Sequence, residues 1–109
     1  MFSGAHYIED YQGECSRLHG HNYKVEVIVE GEELDNCGML IDAKVLKSML
    51  KEVVSRLDHR VLNEALGCGN ATAELLARSI LEELRDLLNF CSLTVRIYET
   101  PEIWVEVVG

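Results

Sequence analysis

The residues best suited to chemistry lie in the first fifth of the chain: His6, Cys15, His19 and His21, in the segments Phe2-Ser3-Gly4-Ala5-His6 and Cys15-Ser16-Arg17-Leu18-His19-Gly20-His21. His19 and His21 are two apart, so on an extended segment their rings point to the same side. A third imidazole, His6 from the preceding strand, completes a three-nitrogen set. Three histidines with a fourth position open is the pattern of a catalytic zinc rather than a structural one. Cys15 is off that spacing, which makes it a candidate for proton chemistry beside the metal rather than a ligand to it. A lone H-x-H pair is a weak signal. The metal reading gains weight because all four histidines fall in segments of this chemical character.

The fourth histidine is in Leu57-Asp58-His59-Arg60-Val61-Leu62-Asn63. An aspartate beside a histidine can fix the imidazole tautomer and raise its basicity, which suits a proton shuttle. The same dipeptide also reads as a helix-terminal histidine with a surface carboxylate next to it, and on residue types alone that is the commoner arrangement. Glu99, at the end of an otherwise apolar and neutral stretch, could pair with the N–H and NH2 edge of a guanine-like ring. An ordinary solvated glutamate is the commoner reading for any isolated Glu.

These residues need elements to hold them. Phe2–Tyr7 reads as a strand carrying His6 near its end, and Glu9–Leu18 as an irregular loop able to present Cys15. Asn22–Glu30 alternates, with Tyr23, Val25, Val27 and Val29 on one face, as a half-buried strand does. Gly31–Gly38 is a turn region. Asp42 is a good N-cap, and Val45, Leu46, Met49, Leu50, Val53, Val54 and Leu57 recur at helical spacing after it. Asn63–Asn70 is a loop. Thr72 caps a second helix with Glu74 in its first turn, where the helix dipole favours an anion; Leu75, Leu76, Ile80, Leu84, Leu87 and Leu88 form its buried side. Leu93–Glu99 and Ile103–Val108 are strands, separated by the only proline, Pro101. The predicted order is β-β-α-α-β-β: an α+β domain with two helices on one face of an antiparallel sheet. The other face must then be solvated or covered by another subunit.

With 109 residues the chain is expected to form a single domain over 1–109. Apolar residues make up 48% and charged residues 27%, an ordinary composition for a soluble globular protein. No apolar run is long enough to span a bilayer, and no leader of secretory type precedes Phe2, so a cytoplasmic protein is expected. The net charge of −9 repels nucleic-acid phosphates and anionic membranes. The four cysteines lack any C-x-x-C spacing and read as reduced thiols, with Cys37, Cys68 and Cys91 as small apolar fillers or loop residues.

Taken in order along the chain, these segments resemble the 6-pyruvoyl-tetrahydropterin synthase family, most closely its 6-carboxy-tetrahydropterin synthase branch, which serves the queuosine and archaeosine precursor pathway. The stretches that carry the resemblance are Phe2-Ser3-Gly4-Ala5-His6, Cys15-x-x-x-His19-Gly20-His21-Asn22-Tyr23, Gly38-Met39-Leu40-Ile41-Asp42, Leu57-Asp58-His59-x-x-Leu62-Asn63, Thr72-Ala73-Glu74-Leu75-Leu76-Ala77 and Tyr98-Glu99-Thr100. Each is weak alone; the ordered set is specific and covers almost the whole chain. The resemblance implies that His6, His19 and His21 bind Zn2+, that Cys15 acts as general base or acid with Asp58 and His59 relaying protons, and that Glu99 anchors the pterin edge with Thr72 nearby. It implies the tunnelling fold and homo-oligomers, trimers or dimers of trimers, with sites between subunits. Ala43 stands where the family commonly has Phe, Ala71 where it commonly has Pro, and the first strand is short for the family.

The implied reaction is zinc-dependent conversion of 7,8-dihydroneopterin triphosphate to 6-carboxy-5,6,7,8-tetrahydropterin, with acetaldehyde and triphosphate released. The alternatives are the pyruvoyl branch, which eliminates triphosphate toward tetrahydrobiopterin, a folate-pathway side-chain lyase, which usually carries a Glu near the Cys15 position, and a non-catalytic zinc- or pterin-binding oligomer. Arg17, Lys44, Lys47 and Arg60 are candidates for the triphosphate, and each reads equally as a plain surface charge.

Overall fold

The computed structural model describes residues 2–6, 19–58, 60–62 and 72–109, and within these leaves the side chains of residues 3, 5, 6, 19–21, 60 and 61 undescribed. The predicted loops at Glu9–Leu18 and Asn63–Asn70 lie outside the described residues. The elements are β1 (Phe2–His6), β2 (His19–Glu30), α1 (Ala43–Ser55), β3 (Arg60–Val61), α2 (Ala73–Leu87), β4 (Ser92–Tyr98) and β5 (Trp104–Val108). They form a five-stranded sheet in the order β3-β1-β2-β4-β5. Every pairing is antiparallel except β1 with β3, which is parallel. The α+β order expected from the sequence therefore holds, with β3 inserted between the helices. A two-residue strand has no alternation of its own to read; it exists because β1 offers it a free edge.

Both helix starts follow from their caps. The Asp42 carboxylate accepts the Lys44 N–H at 2.9 Å, and the Thr72 hydroxyl accepts the Leu75 N–H at 3.2 Å, satisfying donors that the first turn leaves without partners. At the far end of α2, Arg85 donates from Nη1 to the carbonyls of Leu88 (3.3 Å) and Cys91 (2.7 Å). This closes the turn that launches β4 and puts a cation at the negative helix end. The connection between β2 and α1 turns on Gly38, the residue at φ 80°, while the Asp35 carboxylate accepts the N–H groups of Cys37 (2.9 Å) and Met39 (3.0 Å). Cys37 is exposed in this loop and Cys91 is buried as an apolar filler.

One core joins the two layers. From β2 and β4 it takes Tyr23, Leu93, Val95 and Ile97; from α2, Leu76, Ala77, Ile80, Leu81 and Leu84; from α1 and its end, Val53 and Leu57. The α2 stripe is narrower than the apolar spacing implies. Leu75 is 41% exposed and Leu87 55% exposed, and on α1 Val45 is 45% exposed. Leu75 lies more than a quarter turn outside the buried stripe, whereas Leu87 and Val45 are in the last turn of α2 and the first turn of α1.

The opposite sheet face is polar and aromatic. Arg96 Nε donates to Glu106 Oε1 at 2.5 Å and its Nη1 lies 3.7 Å from Glu26. The Arg96 guanidinium also sits over the Trp104 ring (5.3 Å) and Lys24 over Tyr98 (5.2 Å). Among the described residues no helix is long and apolar enough to cross a membrane.

The core assignment predicts a contrast within one helix. Leu84→Ala, at a fully buried position, should cost about 2–5 kcal/mol in urea unfolding. Leu87→Ala, three residues on, should stay within about 0.5 kcal/mol of the parent.

Candidate functional site

The first histidine strand and the second are held by a five-residue ladder: Phe2 opposes Tyr23, Ser3 opposes Asn22, Gly4 opposes His21, Ala5 opposes Gly20 and His6 opposes His19. β2 begins at His19, three residues earlier than its hydrophobic alternation shows, because β1 supplies backbone partners for that polar start. Directly opposed residues share a face, and so do residues two apart along a strand. His6, His19 and His21 therefore occupy one face of the β1–β2 ribbon, within a single opposed pair and its nearest neighbour. That placement suits three nitrogen donors around one ion. Among the described side chains, no group of three His, Cys, Asp or Glu is arranged to hold a metal ion.

The same face continues into Tyr23 and Phe2. Their rings stack with centroids 5.1 Å apart and an interplanar angle of 26°, and both are buried. β4 pairs with β2 as far as Lys24 opposite Tyr98, so Glu99, the next residue of the chain, falls beside Tyr23. Its backbone is fixed by the β4–β5 turn, where Glu99 N–H donates to the Ile103 carbonyl at 3.0 Å. Glu99 is half-buried. Burial, and after it the negative charge of Glu99, push the Tyr23 phenol well above its ordinary value of 10.0. Two residues along a strand span roughly 6–7 Å. Glu99 thus stands about one such step from the row of His21, on a neighbouring strand.

Asp58 sits in the turn that ends α1, half-buried, with its N–H donating to the Val54 carbonyl at 3.0 Å. The chain then passes directly into β3, where Arg60 opposes Gly4 and Val61 opposes Ala5. Leu62 follows, fully buried, and packs over Gly4: a Cβ at Gly4 would meet Leu62 Cγ at 3.2 Å and both Cδ atoms at 3.3 Å. The smallness of Gly4 therefore lets Leu62, and with it the Asp58 turn, sit against the histidine ribbon without a shift of the Leu62 side chain. His59 and Cys15 lie outside the described residues. Thr72 is half-buried, and its hydroxyl is engaged as the α2 cap. Of the candidate cations, Lys44 and Lys47 are exposed at the N-terminal end of α1. Lys44 is about 17 Å along the helix axis from Ser55, whereas Arg60 lies on β3 beside β1. Arg17 lies outside the described residues. Tyr23 entered the sequence reading as one apolar position of an alternating strand and as the end of the Cys15–Tyr23 stretch, with no role of its own. The signal that set it apart was a tyrosine heading a run of valines, two residues from a histidine.

A sheet with both helices on one side, and with its chemical residues gathered at one end of that sheet, defines an α+β enzyme whose site is built on strand register. The model of the family described as 6-pyruvoyl tetrahydropterin synthase matches residues 1–109, and the chain belongs to that family. It is an enzyme of the family's pterin synthase and lyase type, with the tunnelling fold. It is 37% identical over 90 residues to a 6-carboxy-5,6,7,8-tetrahydropterin synthase of Synechocystis, covering 78% of this chain and 70% of that one. To the protein of the same name from Rickettsia conorii it is 30% identical over 129 residues, covering 97% and 94%. Among solved structures, the 6-pyruvoyl tetrahydropterin synthase of Caenorhabditis elegans superposes with a TM-score of 0.84 at 28% identity, covering 99% of this chain and 89% of that one.

The Tyr23 environment has a consequence at alkaline pH. The folded state holds the phenol proton more tightly than the unfolded chain does. That stability is fully present below pH 10 and is lost as the pH rises above it, by up to about 1.4 kcal/mol per pH unit. Chemical denaturation between pH 10 and 11.5 should show a steeper decline for the parent than for Tyr23→Phe. Parallel slopes would contradict the burial of this phenol beside Glu99.

Proposed function

We propose that the chain is a zinc-dependent lyase converting 7,8-dihydroneopterin triphosphate to 6-carboxy-5,6,7,8-tetrahydropterin, with release of acetaldehyde and triphosphate. The observation that carries this reading is the Cys15-x-x-x-His19-Gly20-His21 segment in a chain whose 30–37% identical relatives bear the 6-carboxy name. The β1–β2 register supports it, since His6, His19 and His21 share one face.

In this reading those three imidazoles hold Zn2+, which when bound supplies Lewis acidity toward the oxygens of the substrate side chain and makes the adjacent C–H protons easier to remove. Cys15 takes or returns a proton at its Sγ, for which it needs thiolate character. Asp58 and His59 carry that proton onward, the carboxylate holding the imidazole tautomer. Glu99 accepts the N3–H and 2-amino hydrogens of the pterin, a two-donor edge that matches the two oxygens of a carboxylate. Thr72 lies near the pterin as well as capping α2. Arg60 is the best placed of the candidate cations for the triphosphate, because β3 lies against β1.

The protein works in this reading as a cytoplasmic homo-oligomer, a trimer or dimer of trimers. The exposed Trp104 and the edge strands β3 and β5 suit a further layer of contacts. The second reading is the pyruvoyl branch, favoured by the name of the Caenorhabditis elegans structure. It uses the same residues and eliminates triphosphate alone.

Mass spectrometry of products from zinc-loaded protein and 7,8-dihydroneopterin triphosphate should show a carboxylated tetrahydropterin together with acetaldehyde; a pyruvoyl product would move the protein to the second branch. Cys15→Ala should keep its metal and its pterin affinity while turnover falls by about 10²–10⁴-fold. Intact turnover in that variant would remove Cys15 from the mechanism.

A further inference from the structure

β2 carries the chain away from its histidines, and its last residue, Glu30, lies roughly 30 Å along the strand from His21. At that far end the β2–α1 connection and the α2–β4 turn enclose a surface cleft of about 450 Å³. Leu40 and Ile41 form its floor and pack on the core. Leu34 and Phe90 line it while remaining 62% and 57% exposed, with Val45 beside them. Glu33, Asp35 and Asp42 complete the lining, and all three are exposed. We propose that this cleft docks a cationic segment of a partner protein, which seats leucine or aromatic side chains against Leu34 and Phe90 and sets Lys or Arg against the three carboxylates. Such docking is independent of the pterin chemistry assigned to the opposite end of β2.

Both apolar side chains stand on backbone that is already fixed. The loop bearing Leu34 is closed by Asp35, whose N–H donates to the Met39 carbonyl at 2.8 Å and whose carboxylate accepts the Cys37 and Met39 N–H groups. Leu40 is seated closely over Gly31, where a Cβ would meet Leu40 Cδ1 at 2.7 Å. Phe90 lies in the turn where Arg85 holds the carbonyls of Leu88 and Cys91. Little loop ordering is therefore left to oppose binding. Large apolar side chains that share an exposed cleft rimmed by polar groups mark a contact surface for another macromolecule. The charges choose among the occupants. Among the described residues, the charged groups lining the cleft are all acidic. Even with the exposed Lys44 and Lys47 of α1 counted, the carboxylates of Glu32, Glu33, Asp35 and Asp42 leave this end negative. A second copy would bring a chain of net charge −9 against that rim, and an anionic membrane or a nucleic acid would be repelled in the same way. A small cation would meet the carboxylates but leave Leu34 and Phe90 in water. A protein segment with apolar anchors and basic flanks answers both, the anchors giving affinity and the flanks orientation and association rate.

The test selects phage-displayed random dodecapeptides on the immobilised full-length chain, then measures the Kd of a synthetic copy of an enriched peptide by fluorescence anisotropy. Enriched sequences should join leucine or aromatic residues to Lys or Arg. Leu34→Ser and Phe90→Ser should each weaken the peptide by about tenfold or more, as the loss of an apolar anchor does. Glu33→Lys should weaken it about threefold, chiefly through slower association. Raising NaCl from about 50 mM to about 300 mM should weaken binding to the parent by a similar factor. Thermal melts of the three variants should match the parent, since all three positions are exposed. An absence of enrichment, enriched peptides of acidic character, or a peptide that binds Leu34→Ser and Phe90→Ser as it binds the parent would overturn the proposal. A fall in oligomer mass on Leu34→Ser, read by sedimentation, would overturn it as well, by making the cleft a contact between copies of the chain.

Discussion

The antiparallel register of β1 on β2 is the constraint from which the rest of the site follows. Opposing His6 to His19 and Gly4 to His21 puts three histidines on one face; a slip of one residue would send His6 to the other side of the sheet and dismantle the set. Everything around the ribbon serves to hold that register. The Phe2–Tyr23 stack pins one end. Leu62, folded over Gly4, pins the flank and brings the Asp58 turn with it. On the other side, the seven-pair ladder of β2 with β4 delivers Glu99 to the level of Tyr23. A single small residue, Gly4, and a single large one, Leu62, thus connect the packing of the core to the placement of two separate groups of chemical residues.

The two faces of the sheet do different work. The face under α1 and α2 is apolar along most of its length and turns chemical only at the β1 end, so the helices supply stability while the strands supply position. The other face spends its charges internally, with Arg96 between Glu26 and Glu106 and two cation–π contacts beside it. At partial exposure such pairs add little stability. Their effect is to keep a broad strand surface from presenting a bare apolar patch. Lys24 and Arg96 are two of the ten Lys and Arg residues in a chain of net charge −9; among the others, Arg60 lies on β3 beside β1.

Much of this was legible from residue types alone. Asp42 and Thr72 announced the two helices and do cap them, because capping depends only on residues within one turn. The alternation of Tyr23, Val25, Val27 and Val29 announced a strand with one buried face. What the sequence could not carry was pairing between distant segments. β3 has two residues and no pattern, and the early start of β2 at His19 depends on backbone partners in β1. For the same reason the exposure of Val45, Leu75 and Leu87 was not visible, since the width of a helix's buried stripe and the reach of its ends over the core are set by what it packs on. The candidate residues were visible as types and spacing; that His6 directly opposes His19, and that Tyr23 stands between His21 and Glu99, are properties of the register.

The central claim is that this register builds a three-histidine metal site, and visible absorption of the Co2+-loaded protein tests it most directly. A stoichiometry of one ion per chain is predicted, with the intense d–d bands of a four-coordinate ion that has one open position, lost in His19→Ala. Weak bands of six-coordinate type, or a spectrum unchanged by His19→Ala, would contradict the account.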